Sequence, residues 1–210
     1  MGQEGFEIIL AGAETTSQTL ATAAYNILTN PDSVLSRLQA ELNEAMPDPN
    51  SRLPLKLLEN LPWLTAVIKE SLRVQAIITS RLPVISPEKP LHYKDWIFPV
   101  GTPVGMSLRD VLLDPDVFDE PDKFLPERWL SSNPNPERLD RYFVPFSRGS
   151  RMCLGMNLAM ANLYITLAVM FRRHNFKLHD TNWARDIQIV REDFIGEVSK
   201  DSKGVRIKYA

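Results

Sequence analysis

The stretch that decides how this chain is interpreted is Phe146-Ser147-Arg148-Gly149-Ser150-Arg151-Met152-Cys153-Leu154-Gly155. It contains the single cysteine of the chain and fits the pattern Phe-x-x-Gly-x-Arg-x-Cys-x-Gly, in which five positions are fixed. From average residue usage, a chance match in a chain of this length is expected about once in ten thousand sequences or less. The stretch is therefore a motif, and Cys153 is its chemically reactive residue.

The motif resembles the haem-ligand loop of the cytochrome P450 family. The resemblance implies that Cys153 ligates the iron of haem b as a thiolate, with Phe146, Gly149, Arg151 and Gly155 as neighbouring cofactor-binding residues. Glycines let the backbone pass close to a flat macrocycle. Arg151 is suited to a haem propionate because a guanidinium matches a carboxylate in two-point geometry. A helix beginning just after Cys153 would direct its amide donors toward the sulfur.

Two other interpretations of Cys153 are weaker. A lone cysteine is most often a buried, unreactive residue, but the surrounding motif favours a ligand. A zinc site would need further ligands at regular spacing, whereas the histidines at positions 92, 174 and 179 are scattered along the chain. An iron-ligating thiolate therefore remains the preferred interpretation.

The composition is that of a globular protein. The chain has 210 residues, enough for one domain with a hydrophobic core, and 44% of them are hydrophobic. Its net charge of −2 gives no indication of nucleic-acid binding. A single cysteine excludes a disulfide within the chain and favours a reducing compartment. The first residues lack the basic region of a signal peptide, so we expect the chain as given to be cytoplasmic.

Apolar periodicity predicts a mainly α-helical chain with small β-sheets. Helices are predicted over residues 5–28, 31–46 and 62–74 and after Cys153, and strands over 82–85, 96–98, 103–106, 187–191 and 205–209. Asn30 is expected to cap the second helix, with Pro31 at its first position, and Arg37 and Glu41 are spaced to interact on one face. The segment 114–150 is rich in Pro, Asp and Asn, and such long irregular segments are usually functional.

The segment Leu154–Phe171 has two interpretations. It contains 18 residues without a charge and is followed by Arg172 and Arg173, as in a marginal membrane span. It also contains polar residues such as Asn157 and follows directly on the Cys153 loop. We therefore predict a helix that is buried all round in a large core.

Two further motifs resemble the same family in the same order. Glu70-Ser71-Leu72-Arg73 lies in the third predicted helix, where a Glu and an Arg three residues apart share a face. Such pairs are common and usually solvated, but Phe124-Leu125-Pro126-Glu127-Arg128-Trp129 resembles the family's Pro-x-Arg-aromatic segment. The resemblance implies a buried network of Glu70, Arg73 and Arg128 that fixes the irregular segment behind the haem. These roles are structural, not catalytic.

The stretch Ala11-Gly12-Ala13-Glu14-Thr15-Thr16 resembles the element of the family that carries oxygen chemistry. Small residues at Ala11 and Gly12 are expected to leave room for dioxygen, and Gly12 is expected to loosen the helix. An acid beside an alcohol suits proton delivery, so Glu14 and Thr15 are the predicted catalytic residues. Alone, such a triplet would be a solvated turn of helix; its place about 140 residues before the cysteine favours function.

The chain departs from the family pattern in three respects. Family members are roughly twice as long, so the resemblance predicts a single partial domain over residues 1–210. It would be the C-terminal portion of the fold from the central distal helix onward. Val84 stands where similar members often place an arginine near a propionate, a role that Arg81 is expected to take. Leu113 stands where many relatives carry histidine, and we expect that difference to be structural only.

The resemblance implies a haem-thiolate monooxygenase that transfers one oxygen atom from O2 to an organic substrate. Two alternatives stay open: a non-catalytic truncated fragment of such an enzyme, and an O2-independent haem-thiolate isomerase or dehydratase. The second usually lacks the acid–alcohol pair, which is present here. The Trp-containing segment and the C-terminal ending resemble filamentous-fungal members, which indicates secondary metabolism.

The implied partners follow from the same resemblance. An NADPH-dependent P450 reductase would donate electrons, and Arg148, Arg172 and Arg173 could form its basic docking face or be ordinary surface charge. Residues 76–81 and 194–199 should face an apolar pocket for a hydrophobic substrate. A full-length enzyme would lie at the endoplasmic reticulum membrane, held by an N-terminal anchor.

Overall fold

The computed structural model describes the backbone of residues 2–210, and the side chains of these residues except positions 2–4, 6–8, 10 and 136. The α-helices are α1 (Gly2–Thr29), α2 (Ser36–Ala45), α3 (Leu55–Leu58), α4 (Pro62–Gln75), α5 (Leu108–Leu112), α6 (Pro136–Tyr142), α7 (Met156–Arg173) and α8 (Trp183–Asp186). The strands are β1 (Leu82–Ile85), β2 (Leu91–Tyr93), β3 (Trp96–Phe98), β4 (Pro103–Met106), β5 (Phe176–Leu178) and β6 (Ile207–Tyr209). The predicted mainly helical fold with small sheets is confirmed.

The core lies where α1, α2, α4 and α7 pack together. Helix α4 is at its centre, because almost all of its residues from Trp63 to Gln75 are buried. Large side chains that are fully buried include Trp63, Leu64, Leu38 and Phe171. Among the described side chains of α1, Thr16 is the first that is buried, whereas residues 11–14 are exposed. The N-terminal part of α1 therefore presents its small residues outward.

The junction between α1 and α2 differs from the prediction. Pro31–Leu35 forms a π-helical turn, with Pro31 at its first position as expected. The Asn30 side chain does not cap this turn; its amide instead donates to the Asn26 carbonyl of α1 at 2.8 Å. The Asn30 side chain therefore satisfies a carbonyl in the last turn of α1, the kind of local side-chain to backbone bond that competes with capping.

Glu41 and Arg37 of α2 each contact the first turn of α4, in place of the predicted interaction with each other. The carboxylate of Glu41 accepts the backbone N–H groups of Trp63 at 2.7 Å and Leu64 at 2.8 Å, which are free donors in the first turn of α4. The Arg37 guanidinium lies 3.9 Å from the centroid of the Trp63 ring. A carboxylate at a helix N-terminus is favourable because it meets both the N–H groups and the positive end of the dipole.

The predicted strands 82–85, 96–98 and 103–106 are confirmed as β1, β3 and β4. Strand β1 pairs antiparallel with β4, so that Val84 lies opposite Val104, and β2 pairs antiparallel with β3. Strand β5 pairs antiparallel with β6, which forms the last part of the segment predicted as a strand over 205–209. The strand predicted over 187–191 is wrong, because α8 ends at Asp186 and only Arg191 in this stretch forms an isolated bridge, with Glu197.

Helix α7 corrects the interpretation of Leu154–Phe171. Its second half is buried through Leu163, Leu167 and Phe171, but Leu154 is 100% exposed and Leu158 is 62% exposed. The segment is therefore not buried all round; its apolar residues fall into an inner face and an outer face. Among residues 2–210, no helix combines the length and apolar character needed to cross a bilayer.

Candidate functional site

The Cys153 loop precedes α7 and is held by its own backbone. The Cys153 N–H donates to the Phe146 carbonyl at 2.9 Å, and the Met152 N–H donates to the Gly149 carbonyl at 3.2 Å. Ser147 and Gly149 have φ values of 61° and 82°, a left-handed conformation that glycine adopts without a steric penalty. The loop therefore turns sharply twice before it reaches the cysteine.

The thiol of Cys153 is free and exposed. Helix α7 begins at Met156, with Gly155 at its N-cap, so the cysteine lies just before the first turn as the motif predicts. A Cβ atom at Gly155 would lie 4.0 Å from the Cys153 sulfur. Arg151, Met152 and Leu154 are exposed around it, whereas Phe146 is half-buried against the core. The loop thus presents a thiol, a guanidinium and apolar side chains on one exposed segment.

This donor set fits a haem. A thiolate is a soft ligand for haem iron, the apolar side chains suit the faces of a porphyrin, and a guanidinium suits a carboxylate. Cys153 would supply the ligand, and Arg151 would hold a propionate. Arg81 is exposed just before β1, and Val84 is exposed within it.

The predicted oxygen-binding element lies in an uninterrupted part of α1. Ala11, Gly12 and Glu14 are exposed, and a Cβ atom at Gly12 would meet nothing within 4 Å. The Thr15 hydroxyl donates to the Ala11 carbonyl at 2.7 Å, one helical turn back. Since a hydroxyl has a single proton, this bond leaves the Thr15 oxygen as an acceptor in this geometry. The Glu14 carboxylate accepts from the Gln18 amide at 3.4 Å.

Glu70, Arg73 and Arg128 come together in the interior. The Glu70 and Arg73 side chains are fully buried, and their four contacting atoms form two parallel bonds of 2.9 Å. Arg128 donates from Nε to Glu70 Oε1 at 3.0 Å. The remaining Arg73 donors bind the carbonyls of Leu112 and Lys123, both at 3.0 Å. The guanidinium of Arg73 thus joins α4 to the end of α5 and to the irregular segment.

Trp129 is a member of this network that the sequence reasoning missed. Its indole N–H donates to Glu70 Oε2 at 2.8 Å, and the Leu125 N–H donates to Glu70 Oε1 at 2.9 Å. The signal was present, since Trp129 is the aromatic residue of the Pro-x-Arg-aromatic segment. An indole has one N–H donor, which usually finds a partner when it is buried. Glu70 therefore accepts bonds from three side chains and one backbone amide.

The segments predicted to line a substrate pocket are adjacent. Ile78 forms an antiparallel bridge with Ile195, and the Gly196 N–H donates to the Ile77 carbonyl at 2.8 Å. A Cβ atom at Gly196 would lie 2.6 Å from Ile189 Cδ1 and 2.9 Å from Thr79 Cγ2. A larger residue at this position would therefore require the Ile189 and Thr79 side chains to move. The two segments therefore form one continuous wall.

The end of α4 leads directly into this wall. Ala76 closes the helix in the left-handed conformation with φ of 42°, which turns the chain away from the helix axis. The Arg109 guanidinium donates to the Gln75 carbonyl at 3.0 Å. Burial lowers the pKa of Arg109. Opposite, the Phe194 side chain is exposed at the tip of the turn 191–197.

The arginines proposed for partner docking have bonds within the chain. Arg172 donates to the carbonyls of Met46 at 2.6 Å and Pro47 at 2.8 Å, and Arg173 donates to the Pro49 carbonyl at 2.8 Å. These two residues bind the turn that follows α2. Arg148 donates to the Asp140 carbonyl at 2.7 Å.

The exposed cysteine loop before α7 fits a protein that binds haem, and sequence comparison gives the family. The family model described as cytochrome P450 matches residues 2–195. The chain belongs to the cytochrome P450 family.

The similar proteins are fungal, which confirms the predicted similarity to fungal members. The chain is 44% identical over 207 residues to the cytochrome P450 monooxygenase MO6277 of Ascocoryne sarcoides, covering 99% of this chain and 40% of that protein. It is 45% identical over 204 residues to the tryptophan 6-hydroxylase fscE of Fusarium equiseti, covering 97% of this chain and 39% of that protein. The chain thus spans about 40% of the length of these relatives.

Proposed function

We propose that residues 1–210 form a single partial domain that binds haem b in a cytochrome P450 monooxygenase. The enzyme inserts one oxygen atom from O2 into a hydrophobic organic substrate. The observation that carries the proposal is the free, exposed Cys153 thiol, on a loop of family sequence that ends at the first turn of α7. Relatives named monooxygenase and hydroxylase support oxygen insertion as the reaction class.

The residues of the loop bind and orient the cofactor. Cys153 would ligate the haem iron, Arg151 and Arg81 would bind its propionates, and Gly149 and Gly155 would allow close approach of the backbone. When bound, haem supplies the oxygen and electron-transfer chemistry, which the protein tunes through the thiolate. Glu70, Arg73 and Arg128 keep the segment behind the cofactor in place through buried bonds.

Two roles belong to the exposed part of α1: space for dioxygen at Ala11 and Gly12, and proton delivery by Glu14 and Thr15. Ala11 and Gly12 leave space because they carry little or no side chain. Glu14 is exposed and exchanges protons with water, and the Thr15 oxygen orders a water molecule that it accepts from. A proton then moves from solvent by way of Glu14 and this water.

The partners and setting follow from the same function. Residues 76–81 and 194–199 orient the hydrophobic substrate and exclude water from it. An NADPH-dependent P450 reductase supplies electrons and docks through positive charge that includes Arg148, Arg172 and Arg173. The enzyme acts in secondary metabolism. An N-terminal anchor would hold the full-length enzyme at the endoplasmic reticulum membrane.

The proposed function is tested by adding hemin to the purified 210-residue chain. Reduction under carbon monoxide is expected to give the thiolate-type difference spectrum, because Cys153 is exposed on a loop that backbone hydrogen bonds hold in shape. A matched sample alkylated at Cys153 before hemin is added should lose it. A spectrum without the thiolate signature in the untreated chain would overturn the proposal.

Thr15→Ala is expected to lower the yield of product per NADPH consumed and to raise hydrogen peroxide release. Loss of an ordered proton donor of this kind typically costs ~10²–10⁴-fold in rate. The measurement uses a chimera in which residues 1–210 replace the matching part of the Ascocoryne sarcoides relative. Haem content should stay the same, because the Thr15 hydroxyl is not a ligand.

Thr15→Ser is the matched control for that measurement, since it retains the hydroxyl and its bond to the Ala11 carbonyl. It should preserve the ratio of product to NADPH. An unchanged ratio in Thr15→Ala would contradict the proton role and would favour an O2-independent isomerase.

A further inference from the structure

Lys69 precedes Glu70 on α4 but binds a different part of the chain. Its ammonium donates to Asp140 Oδ1 of α6 at 2.6 Å. It also lies 5.1 Å from the centroid of the Trp129 ring and 5.7 Å from that of Phe143. The Lys69 side chain is 25% exposed and the Asp140 side chain is 55% exposed, so the ion pair is partly solvated. Consecutive residues of α4 thus hold two successive segments behind the cysteine loop.

Asp140 connects Lys69 to the base of the cysteine loop. Its backbone carbonyl accepts Arg148 Nη2 at 2.7 Å and the Phe143 N–H at 3.3 Å. The next bonds lie within the loop itself, from the Ser147 N–H to the Val144 carbonyl at 3.0 Å and from Cys153 to Phe146. These hydrogen bonds, together with the short backbone segments between them, connect α4 to the cysteine loop.

The loop depends on these bonds because burial does little to fix it. Every residue from 148 to 155 is exposed. Segments with few buried apolar contacts open locally at low free-energy cost, so polar bonds at their base determine how far they open. Arg148 is the point at which the exposed loop is attached to Asp140.

We propose that Lys69 is a positioning residue for the Cys153 loop, acting through Asp140 and Arg148. Lys69 does not contact the cofactor; it limits the orientations from which Cys153 can ligate it. The part of this inference that concerns ligation rests on the proposed haem-thiolate function. The part that concerns the order of the loop does not.

The expected change in local opening of the Cys153 loop follows from the contacts of the Lys69 ammonium. A solvated ion pair changes an equilibrium by less than about fivefold. Lys69 adds cation–π contacts with the Trp129 and Phe143 rings, which are favourable at partly exposed sites as well. We therefore expect the loss of the charge to raise local opening of the loop by about 3- to 10-fold.

The experiment is hydrogen–deuterium exchange on the 210-residue chain without haem. In Lys69→Met, the retained alkyl chain still packs on the rings while the charge is lost. Amides of residues 143–153 are expected to exchange about 3- to 10-fold faster, with α4 and α7 unchanged. Lys69→Arg should keep the slow exchange of the parent chain. Asp140→Asn should reproduce the effect of Lys69→Met, and the double variant should exchange no faster than either single variant.

Lys123→Met is the matched control, because Lys123 forms an ion pair with Glu120 at an exposed site away from the loop. It should leave exchange of residues 143–153 unchanged. Equal exchange in Lys69→Met and the parent chain would overturn the proposal, as would faster exchange throughout α4 and α7. The first outcome would show that Lys69 does not affect the loop, and the second that its loss destabilises the whole core.

A second measurement separates this inference from the proposed function. Hemin added to Lys69→Met should give a smaller thiolate fraction in the carbon monoxide spectrum than hemin added to the parent chain. An equal fraction would overturn the role in ligation. A parent chain without any thiolate spectrum would overturn the proposed function and the ligation role with it, while the exchange result would still decide the order of the loop.

Discussion

Arg73→Ala is expected to remove most of the soluble, folded chain. The carboxylate of Glu70 has no exposed surface, and the variant would leave it with two of its bonds broken. The carbonyls of Leu112 and Lys123 would also lose their donor. Removing one partner of a buried ion pair typically costs about 3–5 kcal/mol, against a total stability of about 5–15 kcal/mol for a domain.

The measurement is soluble yield together with the midpoint of urea unfolding. Arg138→Ala is the control, because Arg138 donates to the Asp116 carbonyl at an exposed site; it should unfold near the parent midpoint. The double variant Glu70→Gln with Arg73→Met should lose less stability than the sum of Glu70→Gln and Arg73→Met alone, since the double variant no longer leaves Arg73 without its carboxylate and only Arg128 keeps an unpaired charge. A soluble Arg73→Ala chain with the parent midpoint and full haem content would contradict the network.

Cys153→Ser is expected to abolish the thiolate-type carbon monoxide spectrum completely. The chain contains no other cysteine, and a serine hydroxyl does not supply a thiolate. Because Cys153 is exposed and makes only a backbone bond to Phe146, the variant should keep the parent unfolding midpoint. The loss would thus report ligation and not stability.

Ser150→Ala is the matched control in the same exposed loop, and it should retain the thiolate spectrum. A spectrum unchanged in Cys153→Ser would show that another group ligates the iron. A lowered midpoint in Cys153→Ser would instead assign the cysteine a structural role.

The parts of the molecule that the sequence predicted well are those set by local chemistry. The bounds of α4 follow from Pro62 at its first position and from its apolar periodicity, and β3 and β4 were predicted residue for residue. The sequence also named Glu70, Arg73 and Arg128, which the fold brings within hydrogen-bonding distance. In each case, neighbouring residues and a recognisable motif carry the information.

The parts that were missed depend on tertiary contacts. The sequence shows Glu41 beside Arg37 on one helix, but not that Glu41 accepts the first amides of α4. An uncharged stretch such as Leu154–Phe171 does not reveal which of its faces packs against other helices, since both faces are apolar. The stretch 187–191 has the residues of a strand, but no neighbouring strand is aligned with it along its length in the described fold.

Gly196 has a consequence for how substrate range can diverge within this lineage. The space around its α-carbon is already filled by the side chains of Ile189 and Thr79, so a larger residue there would displace them beside the bridge between Ile78 and Ile195. Substitutions of Gly196 are therefore restricted by these neighbouring side chains. Phe194 projects from the same turn with more than half of its surface free, and it can be exchanged without moving the backbone. Under the proposed function, substrate range would change through side chains such as Phe194, while the bridge between Ile78 and Ile195 stays in place.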